Sequence, residues 1–278
     1  MPLIQHTYGK ARVRVMRVHR DGDRNEVREL SVQTMLEGDF AGSFTDADNR
    51  SVVATDTIKN IAYIVARENL TACAELYGQA LATRFLERYP QVRQARVSMQ
   101  ETRWARASFG GRPHPHSFVL DTNGSPTAEV VATRDGAAVT SGIAGYTFMK
   151  STGSGWVDYM MDDYTTLPET TDRIAATAMD ASWTWRAAPA DYDATNAQVL
   201  AAMLEVFATT YSKGVQDSLY RMGEAALAAV PELATISMSC PNKHYIPMRM
   251  EPLGLASDNS VFIATDEPHG QIECTVGR

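Results

Sequence analysis

The predicted elements of this chain run strand pair, helix pair, strand pair, and after Asp135-Gly136 the same series returns. Residues 11–17 alternate apolar and basic side chains, the period of a half-buried strand, and Val27 to Val32 supply a partner across a turn at Asp21-Gly22-Asp23. Helices are predicted over about 56–67 and 71–88, separated by Glu68-Asn69-Leu70. The second places Leu76, Tyr77, Ala80, Leu81 and Phe85 on one face and stops at Tyr89-Pro90. Strands over about 92–106 and 116–133 follow, and Asn123-Gly124 inside the second reads as a tight turn or bulge. The second series predicts strands near 138–150 and 171–186, helices near 194–211 and 214–229, and strands near 234–247 and 259–276. Such a series predicts an α+β chain of two similar halves, 1–136 and 137–278, duplicated in architecture and not in visible sequence. No low-complexity linker joins them, so freely moving domains are not expected.

Composition narrows the class of partner. With 278 residues, 44% of them hydrophobic and 21% charged, the chain has the make-up of an ordinary globular protein able to bury a sizeable core. A net charge of -7 argues against nucleic acid, and an anionic ligand would have to be drawn in by local groups. The three cysteines, Cys73, Cys240 and Cys274, are odd in number and far apart, which predicts a reducing compartment and no zinc site. No run of roughly 18 apolar residues predicts a membrane span, and Met-Pro-Leu-Ile-Gln-His is not a secretory signal.

Two metal readings are weaker than their structural counterparts. Asp21, Asp23 and Asn25 suggest a calcium loop, but its sixth position is Glu26 rather than glycine, so a solvated turn is the better reading. His114 and His116 form a His-x-His pair with two prolines in the segment and no cysteine or carboxylate beside them, which favours a structural loop.

The stretch Ser51 to Asn60 joins a short apolar run to a helix through Thr55-Asp56-Thr57. Threonine and aspartate suit a helix cap there; the sharper reading is an anion site with the Thr55 hydroxyl free to touch a ligand. Other segments accompany it: Tyr8-Gly9-Lys10, Lys150-Ser151-Thr152 ahead of Trp156, Tyr164-Thr165-Thr166-Leu167 leading to Asp172-Arg173, Val215-Gln216, and Pro241-Asn242-Lys243-His244-Tyr245. In this order and at these spacings the set resembles urate oxidase, the cofactor-free uricase family, from about Tyr8 to the C-terminus.

The resemblance implies the tunnelling fold, in which each half is an antiparallel four-stranded sheet with two helices on one face. Chains of this family pair edges into a closed β-barrel, and two barrels stack into a homotetramer. It implies conversion of urate, O2 and water to 5-hydroxyisourate and hydrogen peroxide, without metal or other cofactor. Lys10 would act as base through the Thr55 hydroxyl with His244, its ammonium destabilised by burial and neighbouring positive charge. Arg173, Gln216 and the Val215 N–H would hold one edge of the flat purine, Thr55 and Asp56 the opposite edge, and Asn242 would hold oxygen or water above the ring. Trp156 stands where most relatives have a stacking phenylalanine. The C-terminal Thr-Val-Gly-Arg lacks the peroxisomal address of many eukaryotic uricases, so a bacterial, cytoplasmic enzyme is expected. Two other readings are another purine- or pterin-acting enzyme of the same fold, such as a GTP cyclohydrolase, and a purine-binding protein without activity. The scattered cysteines offer the first no zinc site, and a base in the company of Thr55 and His244 is more than the second needs.

Overall fold

A computed structural model of the chain describes residues 1–71 and 73–278, with Asp266 described by its backbone alone. It divides into two compact units, Met1–Gly142 with Ala190–Asp193, and Ile143–Pro189 with Ala194–Arg278.

In the first unit the predicted hairpin is strand β1 (Tyr8–Asp21) antiparallel to β2 (Arg24–Gly38), longer at both ends than the alternation alone implies. Val13 and Val15 of β1 and Leu30, Val32, Thr34 and Leu36 of β2 are buried while the residues that alternate with them are not, which is the period-two pattern of a one-sided sheet. After β2 comes a short helix α1 (Ala41–Thr45) that the sequence pattern did not predict, and then α2 (Thr55–Asn69) and α3 (Ala74–Arg88). Helix α2 buries Ile58, Ile61, Ala62, Val65 and Ala66, and α3 buries Tyr77, Leu81, Ala82 and Phe85, the spacing that turns one apolar stripe of each toward the sheet. Helix α3 was expected from residue 71; Cys73 is its N-cap, its sulfur accepting from the Leu76 N–H at 3.5 Å, and Ala72 lies outside the described residues.

The run expected as one strand over 116–133 is two. Strand β3 (Val92–Phe109) turns at Gly110-Gly111, both at positive φ, into β4 (Arg112–Asp121), and a second turn at Gly124 leads to β5 (Ser125–Thr133). β3 is long enough to pair with β4 through Arg103 to Phe109 and with β5 through Ala95 to Gln100. The His114–His116 segment, expected as a loop, is therefore part of a hairpin strand, its backbone carbonyls at His114 and Pro115 held by Arg106 at 2.9 and 2.7 Å. The main path of the first unit is β1-β2-β3-β5, with β4 off it.

Strand β6 (Gly136–Lys150) begins in the first unit and continues into the second, where the order is β6, β7 (Ala175–Trp185), β8 (Leu233–Pro247) and β9 (Phe262–Gly277). Helices α4 (Tyr192–Thr209) and α5 (Val215–Ala229) supply the other layer of its core. Val199, Met203 and Phe207 recur every four residues along α4 and pack with Leu219, Met222, Met179, Ile236 and Met238. Trp183, 1% exposed, donates its indole N–H to Asn196 Oδ1 at 2.9 Å, so the largest side chain of this core leaves no polar atom unpaired. β7 starts at Ala175 rather than near 171, and residues between β6 and β7 form an irregular segment that builds part of the site. Each unit thus has the expected antiparallel sheet with two long helices. Among the described residues no helix is long and apolar enough to cross a membrane.

Candidate active site

The first-unit group grows from the start of β1. A Cβ on Gly9 would lie 1.8 Å from the Thr34 carbonyl oxygen, so only glycine lets β1 approach β2 there, with Lys10 opposite Thr34. An irregularity between Lys10 and Val13, with Arg12 at φ 56, releases the strand from regular pairing just beyond the lysine. Tyr8 packs edge-on against Phe40 at 4.8 Å, and its hydroxyl accepts the Val53 N–H at 2.7 Å. That bond fixes the segment leading into α2.

The N-cap of α2 is Ala54, with no side-chain cap, and Thr55 is the first helical residue. The capping reading of Thr55 is thereby corrected: among the described residues its hydroxyl has no hydrogen-bond partner. Thr55 and Asp56 are exposed and Lys10 is half-buried. The Asp56 carboxylate is held by Lys59 and, at 3.1 Å, by Asn60 of its own helix. Lys59 foremost, with the Lys10 charge as the smallest contribution, keeps it below the usual carboxylate range. Lys10, Thr55 and Asp56 therefore gather at the N-terminal end of α2, where the helix dipole and free N–H groups favour negative charge.

The second-unit group stands on a frame of short backbone links. Lys150 donates to the Phe207 and Thr210 carbonyls at 3.1 and 2.7 Å, capping the end of α4 and anchoring the segment that follows. Gly155 N–H bonds Ser212 O, Ser212 N–H bonds Gly153 O, Arg173 N–H bonds Ser154 O, and Trp156 and Thr170 exchange both backbone bonds. Thr152 donates to Asp172 at 2.7 Å, and Ser218 to the Ser212 hydroxyl at 2.7 Å. These links bring Trp156, Arg173 and the start of α5 into one cluster.

Gly214 is the N-cap of α5 and offers no side-chain cap, leaving the Val215 N–H at an open helix N-terminus. A Cβ on Gly214 would come within 2.8 Å of the Trp156 indole and 3.3 Å of Gln216 Oε1, so the indole lies directly against the turn that carries Val215 and Gln216. The Arg173 guanidinium sits 5.8 Å from the centroid of the same indole. Burial holds Arg173 below arginine's ordinary pKa, and its buried Nε has no hydrogen-bond partner. Among the described residues Arg173 forms no ion pair. Asn242 on β8 lines the same small recess as Ser154, Ser212, Gly214 and Val215. His244 follows across an irregularity in β8–β9 pairing, with Asn242 opposite Gly270 and His244 opposite Thr265.

The predicted site residues thus form two groups, Lys10, Thr55 and Asp56 in the first unit and Trp156, Arg173, Val215, Gln216, Asn242 and His244 in the second. Sequence reasoning missed the frame itself: Tyr8 as the holder of Val53, Lys150 as a cap, and the Ser154–Ser212–Ser218 links. The Lys150-Ser151-Thr152 motif was the one visible signal of it. Elsewhere, among the described residues, no three of His, Cys, Asp and Glu converge as a metal site. All three thiols are free, and burial pushes Cys73 up to about 12 and Cys240 up to about 11, which keeps both protonated.

Comparison with known proteins identifies the family. The Uricase family model matches residues 6–131 and 139–273, one stretch in each half of the chain. The uricase of Aspergillus flavus is 39% identical over 98% of this chain and 95% of its own length. That of Arthrobacter globiformis is 39% identical over 99% of this chain and 89% of its own. The crystal structure of the Arthrobacter globiformis uricase superposes with a TM-score of 0.94 over 100% of this chain and 95% of that one. A uricase structure from Bacillus fastidious, 25% identical, gives 0.86 over 98% of this chain and 94% of that one. With both repeats matched and relatives aligned nearly end to end, the chain belongs to the uricase family.

Proposed function

We propose that this chain is a urate oxidase that converts urate, O2 and water to 5-hydroxyisourate and hydrogen peroxide, with no cofactor. The observation that carries the reading is Arg173: a half-buried guanidinium whose buried Nε is unpaired, beside an aromatic face and an open helix N-terminus. A buried N–H of a cation left without an acceptor is costly, and a flat anion with carbonyl and ring-nitrogen acceptors would satisfy it. Urate is such an anion.

In this reading Arg173, Gln216 and the Val215 N–H bind one edge of the purine while Trp156 stacks on its face. Lys10 takes a further proton from the urate anion through the Thr55 hydroxyl, and His244 serves the same relay. The loss of that proton makes the ring electron-rich enough to react with O2 directly. The first product is an oxygen adduct at the ring; water replaces the departing peroxide, so the atoms balance as 5-hydroxyisourate and H2O2. Asn242 holds O2 or water above the ring. Thr55 and Asp56 meet the opposite purine edge, and the complete site forms where two chains of a homotetramer join their sheet edges. Three free thiols suit a reducing cytoplasm.

The test follows urate absorbance and dissolved oxygen together, with a chelator present. Equal consumption of both and one peroxide per urate are expected. Loss of activity on exhaustive chelation, restored by a metal, would overturn the cofactor-free reading.

A further inference from the structure

The orientation of the Trp156 indole is not set by a hydrogen bond. Its backbone is fixed by the exchange with Thr170 at 2.7 and 3.0 Å, but among the described residues its indole N–H has no partner. A two-torsion side chain held only at its Cα can swing, and a stacking platform that swings gives back in entropy what it gains in contact. Packing must therefore hold it. Gly214 bars one direction of movement, since the indole already lies within contact of the α5 turn.

The second restraint is Tyr159. Its ring lies against the indole with centroids 5.5 Å apart and planes 15° from parallel. That is the offset-stacked arrangement aromatic rings prefer. Tyr159 is itself pinned, because its hydroxyl donates to the Leu167 carbonyl across the loop that the Trp156–Thr170 exchange closes. The same loop is tied by Asp158 N–H to Glu169 at 2.7 Å and by Asp162 N–H to the Thr165 hydroxyl at 2.9 Å. A chain of contacts thus runs from the ordered loop through Tyr159 to the indole.

We propose that Tyr159 is a positioning residue for urate binding: it backs the Trp156 indole and holds it ready to stack on the purine. The proposal rests on the reading of Trp156 as the stacking platform. Tyr159 touches no reacting atom, so it sets affinity and leaves the chemical step alone.

The experiment compares Tyr159→Ala, Tyr159→Phe, Trp156→Ala and the Tyr159→Ala/Trp156→Ala double variant in the whole enzyme, by steady-state kinetics with urate and by near-ultraviolet circular dichroism. Tyr159→Ala is expected to raise KM roughly two- to tenfold, the worth of one aromatic pair, with kcat unchanged and the indole band weakened. Tyr159→Phe keeps the ring but loses the bond to the Leu167 carbonyl, and is expected to raise KM less than Tyr159→Ala does. In the Trp156→Ala background, removing Tyr159 is expected to change KM no further. An unchanged or lowered KM in Tyr159→Ala, while Trp156→Ala weakens binding, overturns the proposal and leaves the stacking reading standing. So does an effect of Tyr159→Ala that persists without Trp156. If Trp156→Ala does not weaken binding, the stacking reading fails and this proposal falls with it.

Discussion

The Tyr8 hydroxyl accepts the Val53 N–H at 2.7 Å, and so ties the strand that carries Lys10 to the segment that delivers Thr55. Val53 is 4% exposed, so without this acceptor its N–H would be left without a partner inside the protein. Tyr8→Phe should cost about 1–3 kcal/mol of stability, the penalty for a stranded buried donor. It should also lower kcat, because a shift of Thr55 by a fraction of an ångström disturbs a proton relay. Urea unfolding and steady-state kinetics check both. Unaltered stability and unaltered kcat together would show that the bond holds nothing in place.

Lys10 is assigned to the proton and not to holding the ring. Lys10→Met should therefore lower turnover by roughly 10² to 10⁴, the usual worth of general acid–base help, while urate affinity changes much less. Stopped-flow binding and turnover at saturating urate separate the two. A collapse of affinity with turnover intact would make Lys10 a binding residue.

The buried thiol of Cys240 gives a prediction on pH. Burial raises it from 9.0 to about 11, so the folded state favours the protonated form. Its contribution is fully present below pH 9, where the thiol is protonated in both states, and is lost as pH rises through about 11. The stability gap between wild type and Cys240→Ala should hold from pH 7 to 9 and then narrow by about 2–3 kcal/mol, the linkage equivalent of that rise. Urea titrations across this range measure it, and a gap constant to pH 11 would contradict a thiol held protonated by burial.

The parts of the fold visible in sequence were those set by local periodicity. The stripe of α2 and the alternation in β1 and β2 repeat within a few residues and map onto buried faces, whereas on α3 Tyr77, Leu81 and Phe85 are buried but Leu76, expected on the same face, is 45% exposed. The split of 116–133 was not visible, because it depends on β3 being long enough to pair with two strands in succession. The sequence left Thr55 open between a cap and a ligand-contacting hydroxyl, because helix starts one residue apart carry nearly the same signal; only the backbone at Ala54 decides between them. Candidate site residues could be named from the ordered motifs, but not what steadies them. Tyr159 against Trp156, Tyr8 to Val53 and Ser154 to Ser212 are partnerships made by the folded path and leave no spacing rule behind.

Assembly supplies the last prediction. Thr55 belongs to the first unit and Arg173 to the second, and the proposed site takes the first group from one chain and the second from its neighbour. Thr55→Ala and Arg173→Ala proteins should each be nearly inactive, since every site in either homo-oligomer carries one lesion. Unfolded and reassembled together in equal amounts, they should regain activity. A mixed symmetric pair puts both lesions into one of its two sites and leaves the other whole. Random pairing makes half the pairs mixed, each with one good site in two, so recovery should approach about a quarter of wild type. Native mass spectrometry verifies that mixed oligomers have formed before activity is read. Mixed oligomers as inactive as their parents would mean that each chain builds its site alone, and the shared-site reading would have to be abandoned.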